Sequence, residues 1–221
     1  MQLDTDFMTR HIPDFVHAAG LSLSIGGIAI LLSLSVACIY SAILFFQVPI
    51  LKGFVRAHVE VARNTPLLIQ LFFLYYGLPS IGIKLSSMTV VFIAMTFLGG
   101  GYFTEVFRSG LDAVTKTQAE SGLALGLSRM QLFRYVIMPQ AFRISIPALF
   151  ANFIFLLKET TIVSAVAVPE LLYTTTSYIS LYYKTYEMLL MMTICYLIIF
   201  LPLSFLLSCI ERRYQYGTHG H

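Results

Sequence analysis

The sequence has 221 residues, of which 57% are hydrophobic and only 11% are charged, against about 25% charged in an ordinary soluble domain. This composition excludes a water-soluble domain with an ordinary polar surface. The net charge of +3 and the position of the basic residues beside apolar runs argue against a nucleic-acid-binding protein. Cys38, Cys195 and Cys209 lie inside apolar runs without CxxC spacing, so the sequence predicts no disulfide framework and no metal site.

Long apolar runs predict an all-α polytopic membrane protein with about five spans, since one span needs about 20 mostly apolar residues. The runs 20–46, 64–83, 85–104 and 188–210 contain no charged residue. Residues 144–168 are interrupted by Lys158 and Glu159, so this segment is either one span or a short buried segment followed by a re-entrant piece. The charged residues before the first run do not fit a cleaved signal peptide, and the first span is expected to stay in the mature protein.

The positions of the lysines and arginines predict the orientation of these spans. With five spans, three of the 14 Lys and Arg fall on one side (Arg10, Lys84 and Lys184) and ten fall on the other. Because cytoplasmic loops carry the excess of Lys and Arg, the N-terminus is predicted outside and the C-terminus inside. The ten inner residues are Lys52, Arg56, Arg63, Arg108, Lys116, Arg129, Arg134, Arg143, Arg212 and Arg213.

The longest predicted inner loop, residues 108–143, carries signals for helix boundaries. Thr117-Gln-Ala-Glu120 fits a capping box, and Gly126 is suited to a left-handed helix stop. Ser128-Arg-Met-Gln131 fits a second capping box, and Pro139 is expected to end that second helix. The predicted unit is a short helix, a glycine turn and a second helix, whose apolar surface suits either another protein or lipid headgroups.

Three separated motifs resemble those of polar amino-acid ABC importer permeases. Glu120-Ser-Gly-Leu-Ala-Leu-Gly126, followed by Ser128-Arg129 and Met138-Pro139, resembles the EAA motif, with Ser121 and Gly122 in place of two alanines. Residues 63–79, which begin Arg-Asn-Thr-Pro-Leu-Leu, look like the R-G/N-T-P-L-L stretch of the same group. Residues 157–171 resemble its K-D/N-T-S-L and V-P-E-L segments. The resemblance covers about residues 20–210 and is closest to the histidine/glutamine/arginine type.

The resemblance implies a single transmembrane domain over residues 1–221 with the type I ABC-importer permease fold, in the bacterial inner membrane. It implies an importer of polar L-amino acids that assembles with an ABC ATPase dimer, a second permease subunit of the same or another sequence, and an extracytoplasmic amino-acid-binding protein. ATP and Mg would be bound by the ATPase, and this chain is expected to carry no cofactor and no catalytic site. The residues implied in coupling to the ATPase are Glu120, Ser121, Gly122, Leu123, Leu125, Gly126, Ser128, Arg129 and Pro139.

Ionisable residues at membrane depth are the candidates for the substrate pathway, because they are costly in lipid and usually face a bundle interior or a wet cavity. Lys158 and Glu159 meet this criterion, and they offer one charge of each sign to a zwitterionic amino acid. Packing between helices or contact with headgroups is the alternative for both. Glu105 is spaced to pair with Arg108. The stretch from Tyr102 to Arg108 resembles Y-x-A-E-x-x-R, which implies a substrate or gating role for Glu105. Thr161 lies in the same segment as Glu159 and is a further candidate for the substrate pathway.

Other functions remain open on the sequence. The chain contains no G-x-x-x-x-G-K-[ST] phosphate loop, so an ATP-driven transporter would need its ATPase in another chain. A secondary transporter or channel is the alternative, although no inverted repeat is evident. An intramembrane enzyme would need a polar catalytic cluster that the sequence does not indicate. Gly99, Gly100 and Gly101 predict either close helix packing, which is favoured, or a hinge.

Overall fold

A computed structural model describes residues 3–114 and 116–216, and no β-strand occurs among them. Helix α1 is followed by a short helix, α2, and by the second apolar segment, which begins as α3 and continues as a π turn and a 3₁₀ turn. Helices α6 and α7 are joined by a second π turn, and α7 continues into a 3₁₀ segment. The bounds are α1 Thr5–Phe45, α2 Leu51–Asn64, α3 Leu67–Phe72, π turn Phe73–Gly77, 3₁₀ turn Leu78–Ile81, α4 Ser87–Ala113, α5 Lys116–Ala124, α6 Arg129–Leu132, π turn Phe133–Ile137, α7 Met138–Glu159, 3₁₀ segment Thr160–Val166, α8 Leu171–Tyr182 and α9 Thr185–Tyr216.

The prediction of about five spans is confirmed. Within the described ranges, four helical segments are long and apolar enough to cross a membrane: Thr5–Phe45, Ser87–Ala113, Arg129–Val166 and Thr185–Tyr214. The fifth apolar segment, Leu67–Ile81, is shorter because Pro66 stands before it and Gly82 ends it in the left-handed region at φ 87°. Residues 144–166 belong to one continuous helical segment, made of α7 and the 3₁₀ segment that follows it, as the single-span interpretation predicts.

Helix α1 begins well before the uncharged run at 20–46. Asp4 caps it by accepting a hydrogen bond from the amide of Phe7 at 3.0 Å. The early turns are then held by tertiary packing, since Phe15 and Ala18 are buried in a cluster with Leu171 of α8 and Met188 of α9. At about 1.5 Å per residue the 41-residue helix is roughly 60 Å long, about twice the thickness of the hydrocarbon core.

The core of the bundle lies between α1, α4 and α7. Ser33 and Val36 of α1 lie beside Gly99 and Gly100 of α4, so these two helices run in the same direction. Helix α7 runs in the opposite direction, since Gly99 approaches Leu156 and Gly110 approaches Ser145. The bundle therefore has one end at which α1 and α4 finish and α7 begins, and the connections at this end carry most of the basic residues.

Both prolines that follow a π turn stand at the same spacing, Phe-x-Tyr-x-x-x-Pro, at Phe73–Pro79 and Phe133–Pro139. In each turn the residue before the proline donates its amide to the carbonyl five positions back: Leu78 to the carbonyl of Phe73 and Met138 to that of Phe133. This shifted register accommodates a residue without an N–H. The prediction that Pro139 ends a helix is therefore wrong, because the chain stays helical from Arg129 to Glu159.

Candidate functional site

Three consecutive glycines allow α4 to approach three neighbouring helices closely. A Cβ atom at Gly99 would collide with Ser33 of α1 and Leu156 of α7. At Gly101 it would lie 2.7 Å from the Cβ of Ala62 on α2, and at Gly100 it would lie 3.0 Å from a methyl group of Val36. The packing interpretation of this glycine run is confirmed. The close approach of α2 brings its last turn, with Arg63, against the middle of α4.

A cavity of about 480 Å³ opens beside this contact and is called the Glu159 cavity here. Its charged lining residues are Arg63, at the end of α2, and Glu159, at the end of α7. The Arg63 guanidinium carbon lies 5.8 Å from the ring centroid of Tyr102, while the Glu159 carboxylate has no ion pair or hydrogen bond to a described side chain. The remaining lining residues are Asn64, Thr65, Pro66, Leu67, Leu68, Leu98, Tyr102, Phe155 and Ile162.

A second cavity, of about 380 Å³, lies between α2 and α4 and is called the Glu105 cavity. Arg108 donates to Glu105 twice, at 2.7 and 3.0 Å, and also donates to Asp112. Arg63 lies 3.6 Å from the same carboxylate and lines both cavities. The predicted Glu105–Arg108 pair is confirmed. Glu105 is thus already bonded, whereas Glu159 is free to accept a hydrogen bond from another molecule.

Lys158 and Thr161 point to a different neighbour from Glu159. The Lys158 Nζ lies 5.7 Å from the ring centroid of Phe200, and the Thr161 and Tyr196 hydroxyls are 2.8 Å apart. Both contacts are to α9. Adjacent helical residues differ by about 100° around the axis, and of these two sequence neighbours Glu159 lines the cavity while Lys158 does not. The geometry places Glu159 and Glu105 at cavities and places Lys158 and Thr161 at the contact with α9.

Arg63 is the cavity residue that the sequence did not single out. It counts among the basic residues of an inner connection, and it stands just before the predicted second span. A signal was available, since Arg63 opens the Arg-Asn-Thr-Pro stretch that resembles the R-G/N-T-P-L-L motif. Its place between two carboxylates follows from the tertiary contact between α2 and α4, which no local pattern specifies.

The glycine turn of the coupling segment is formed as predicted. Gly126 adopts the left-handed conformation at φ 82°, its amide bonds the carbonyl of Leu123 at 2.9 Å, and the amide of Leu127 bonds that of Gly122 at 3.2 Å. This pair of bonds is the Schellman arrangement at a helix end. Ser128 and Gln131 form a reciprocal capping box at the start of α6, as predicted.

The start of the coupling helix differs from the prediction. Helix α5 begins at Lys116, so Thr117 lies inside its first turn and does not cap it. The residue in the capping position, Thr115, lies outside the described residues.

The two departures from the alanines of the EAA motif lie on α5. Gly122 lies against Leu132 of α6, and a Cβ atom there would meet the end of the Leu132 side chain, so glycine lets α5 and α6 pack closely. Ser121 is exposed. The outer surface is apolar, with Leu123 48% exposed and Leu125 83% exposed.

A buried carboxyl group starts α8. Glu170 is fully buried, and its Oε1 accepts a hydrogen bond from the amide of Tyr173 at 2.8 Å, while Oε2 has no partner among the described residues. Ser22 of α1 accepts from the neighbouring amide of Leu171 at 3.4 Å. Burial raises the pKa of Glu170 to about 7, although the backbone N–H groups at the start of α8 oppose this rise.

Comparison with known proteins places this architecture in one family. Residues 29–216 match the family model described as the binding-protein-dependent transport system inner membrane component. The chain is 36% identical over 153 residues to a probable glutamine ABC transporter permease protein of Bacillus subtilis (strain 168), which covers 69% of this chain and 70% of that protein. It is 30% identical over 215 residues to the glutamine transport system permease protein of Escherichia coli (strain K12), which covers 96% of this chain and 98% of that protein.

Solved structures agree with the sequence comparisons. The crystal structure of an amino acid ABC transporter with histidines superposes with a TM-score of 0.90 at 30% identity, over 96% of this chain and 100% of that chain. An inward-facing methionine ABC transporter, MetNI, superposes with a TM-score of 0.75 at 18% identity, over 90% of this chain and 95% of that chain, which shows likeness of fold alone. The chain belongs to the family of binding-protein-dependent transport system inner membrane components.

Proposed function

We propose that this chain is the permease subunit of an ATP-driven importer of polar L-amino acids. The observation that carries the proposal is the Glu159 cavity, which presents the guanidinium of Arg63 and the carboxylate of Glu159 to one space. A free amino acid has a carboxylate and an ammonium group, and charge-assisted hydrogen bonds to both would fix its orientation. The relatives named as glutamine and amino-acid permeases support the same substrate class.

The depth of the cavity supports a role in transport. Leu98 and Tyr102 contribute to its lining and lie near the middle of α4, which spans 27 residues. Polar sites at the midplane of a membrane protein are the usual place for substrate. The Glu105 cavity lies nearer the end at which α4 finishes, and the bonded group of Arg63, Glu105 and Arg108 would stand between substrate and that end.

The basic residues support one orientation of the chain in the membrane. The end where α4 finishes and α7 begins would face the cytoplasm, because Lys and Arg collect in cytoplasmic loops. The N-terminus and α8 would then face the opposite side, where an amino-acid-binding protein would deliver substrate. The exposed Leu123 of α5 and Leu125 in the turn after it would meet an ABC ATPase dimer in the cytoplasm, which would bind ATP and Mg. A second permease subunit, of the same or another sequence, would complete the translocation pathway.

Transport by the reconstituted complex tests the proposal. The permease, its ATPase and its binding protein are placed in liposomes with ATP inside or outside, and uptake of radiolabelled glutamine, histidine, arginine, leucine and glucose is measured. Uptake of one or more of the polar amino acids, dependent on ATP on the ATPase side and absent for glucose, is the expected result. Uptake that continues without ATP or without the ATPase would favour a secondary transporter or channel and overturn the proposal.

A further inference from the structure

His58, on α2, lies where three helices meet. Its Nδ1 is 2.8 Å from the hydroxyl of Tyr40 on α1, and its Nε2 is 3.0 Å from the carbonyl oxygen of Phe97 on α4. The imidazole ring also stacks on the Phe97 ring, with centroids 4.2 Å apart and an angle of 13° between the planes. One side chain therefore connects α2 to both α1 and α4.

The partners fix the proton on the imidazole ring. A carbonyl oxygen can only accept a hydrogen bond, so Nε2 must donate to Phe97. In the neutral ring Nδ1 is then the acceptor, and the Tyr40 hydroxyl donates to it. Each polar atom of the imidazole has a partner of the right kind, and the bonds run in two different directions. Such a pair of directional bonds resists both sliding and rotation of α2.

The buried face of α2 is apolar. Val55, Val59 and Ala62 form the buried face of α2, and small apolar side chains pack without a preferred direction. Arg63 follows Ala62 immediately and is five residues beyond His58, about 7.5 Å along the axis. Among the described residues, His58 and Arg63 are the α2 side chains with polar contacts to other helices.

We propose that His58 is a positioning residue for the pathway: it fixes α2 across α4 and α1, and so sets where Arg63 stands between the Glu159 and Glu105 cavities. The geometric part of this inference concerns the chain alone. The part that concerns affinity rests on the proposed function, because it requires substrate to enter the Glu159 cavity.

A labelling experiment tests the geometry without any transport. In a background with Cys38, Cys195 and Cys209 replaced by alanine, Arg63→Cys is reacted with a water-soluble maleimide in membranes. His58→Phe, which keeps a stacking ring but loses both bonds, is expected to change the labelling rate at position 63 by about threefold or more, since two net hydrogen bonds are lost. His58→Gln, which can both donate and accept, is expected to keep the parent rate. Ser109→Cys, exposed on α4, is the control site and should label equally in all three.

Equal labelling at position 63 in the parent and in His58→Phe would overturn the proposal. So would a parallel change at the Ser109→Cys site, because that would indicate a general loosening of the fold.

Uptake kinetics of the reconstituted complex test the link to substrate, with the labelled amino acid that the parent transports. His58→Phe is expected to raise KM about tenfold, with kcat within about twofold, and His58→Gln is expected to restore the parent KM. A changed labelling rate with an unchanged KM would show that His58 positions α2 and would refute a role of His58 in the pathway. If the parent transports no amino acid, the proposed function fails, while the labelling result still decides what His58 does.

Discussion

Arg63 and Glu159 line the same cavity although they end two different helices, α2 and α7. Their charges are opposite, and the Glu159 carboxylate has no bonded partner among the described side chains. The fold therefore brings the two groups to one cavity, where Glu159 has no ion pair and Arg63 lies 3.6 Å from the carboxylate of Glu105. This arrangement leaves the Glu159 carboxylate available to the ammonium group of a bound molecule, beside the guanidinium of Arg63.

Neutralising Glu159 is expected to weaken transport through KM. Glu159→Gln should raise the KM of amino-acid uptake roughly tenfold or more, because a hydrogen bond to a charged group contributes about 1.5–3 kcal/mol. The matched control is Lys158→Gln, which changes the adjacent residue but affects a contact with Phe200. The measurement is initial uptake rate against substrate concentration in proteoliposomes. A larger effect of Lys158→Gln than of Glu159→Gln would contradict the assignment of the cavity.

Changes on the surface of α5 are expected to separate the chain from its ATPase. Glu120→Lys reverses a charge on the exposed face, and Leu125→Asp places a carboxylate on the apolar turn that follows the helix. Both should leave the amount of chain in the membrane unchanged while the ATPase is lost from the affinity-purified complex. Asp6→Lys, an equal charge reversal on exposed α1 at the opposite end, is the control and should retain the ATPase. Normal recovery of the ATPase with both α5 variants would refute the docking role.

Gly110 is expected to tolerate no side chain, while Gly27 should accept one. A Cβ atom at Gly110 would collide with Ser145 and would lie 2.7 Å from the backbone carbonyl oxygen of Ala141, whereas nothing lies within 4 Å of a Cβ atom at Gly27. Overpacking against backbone costs about 1–3 kcal/mol, and alanine in place of glycine inside a helix gains up to about 1 kcal/mol. Thermal unfolding in detergent should therefore show a lower Tm for Gly110→Ala and an unchanged or higher Tm for Gly27→Ala. The opposite order would show that α7 does not approach α4 as described.

The buried carboxyl of Glu170 is expected to make stability fall at alkaline pH. Its pKa is raised from 4.5 to about 7 by burial, so the folded chain holds this proton more tightly than the unfolded chain does. The stabilisation is complete below about pH 4.5 and is lost as pH rises through about 7.

Measuring Tm at pH 6 and at pH 8.5 checks this expectation. The parent should lose stability between the two values, and Glu170→Gln, which stays neutral, should lose less. Asp6→Asn, at an exposed position, is the control and should behave like the parent. An identical loss for Glu170→Gln and the parent would show that Glu170 does not titrate in this range.

Local signals in the sequence were sufficient for part of this molecule. Four of the five spans follow from uncharged runs, and the turn at Gly126 and the cap at Ser128 follow from rules that involve only a few neighbouring residues. The continuation of the helix through Pro139 could not be predicted in this way, because it depends on a π turn whose shifted hydrogen bonds leave no periodic pattern. The role of Arg63 could not be predicted for another reason. Its neighbours in the cavities come from α4 and α7, and the sequence does not show which helices the glycines of α4 approach.

An unbroken helix runs from the Ser128 cap to Glu159 and connects the coupling segment to the Glu159 cavity. Its 31 residues from Arg129 to Glu159 span roughly 45 Å at about 1.5 Å per residue, and a rod of that length has its first turn against α5 and its last turn at the Glu159 cavity. A tilt of the first turn is therefore expected to move the wall of the Glu159 cavity, because one ladder of backbone hydrogen bonds connects the two. The π turn at Phe133–Ile137 is where this ladder changes register, and π turns are among the places where helices kink.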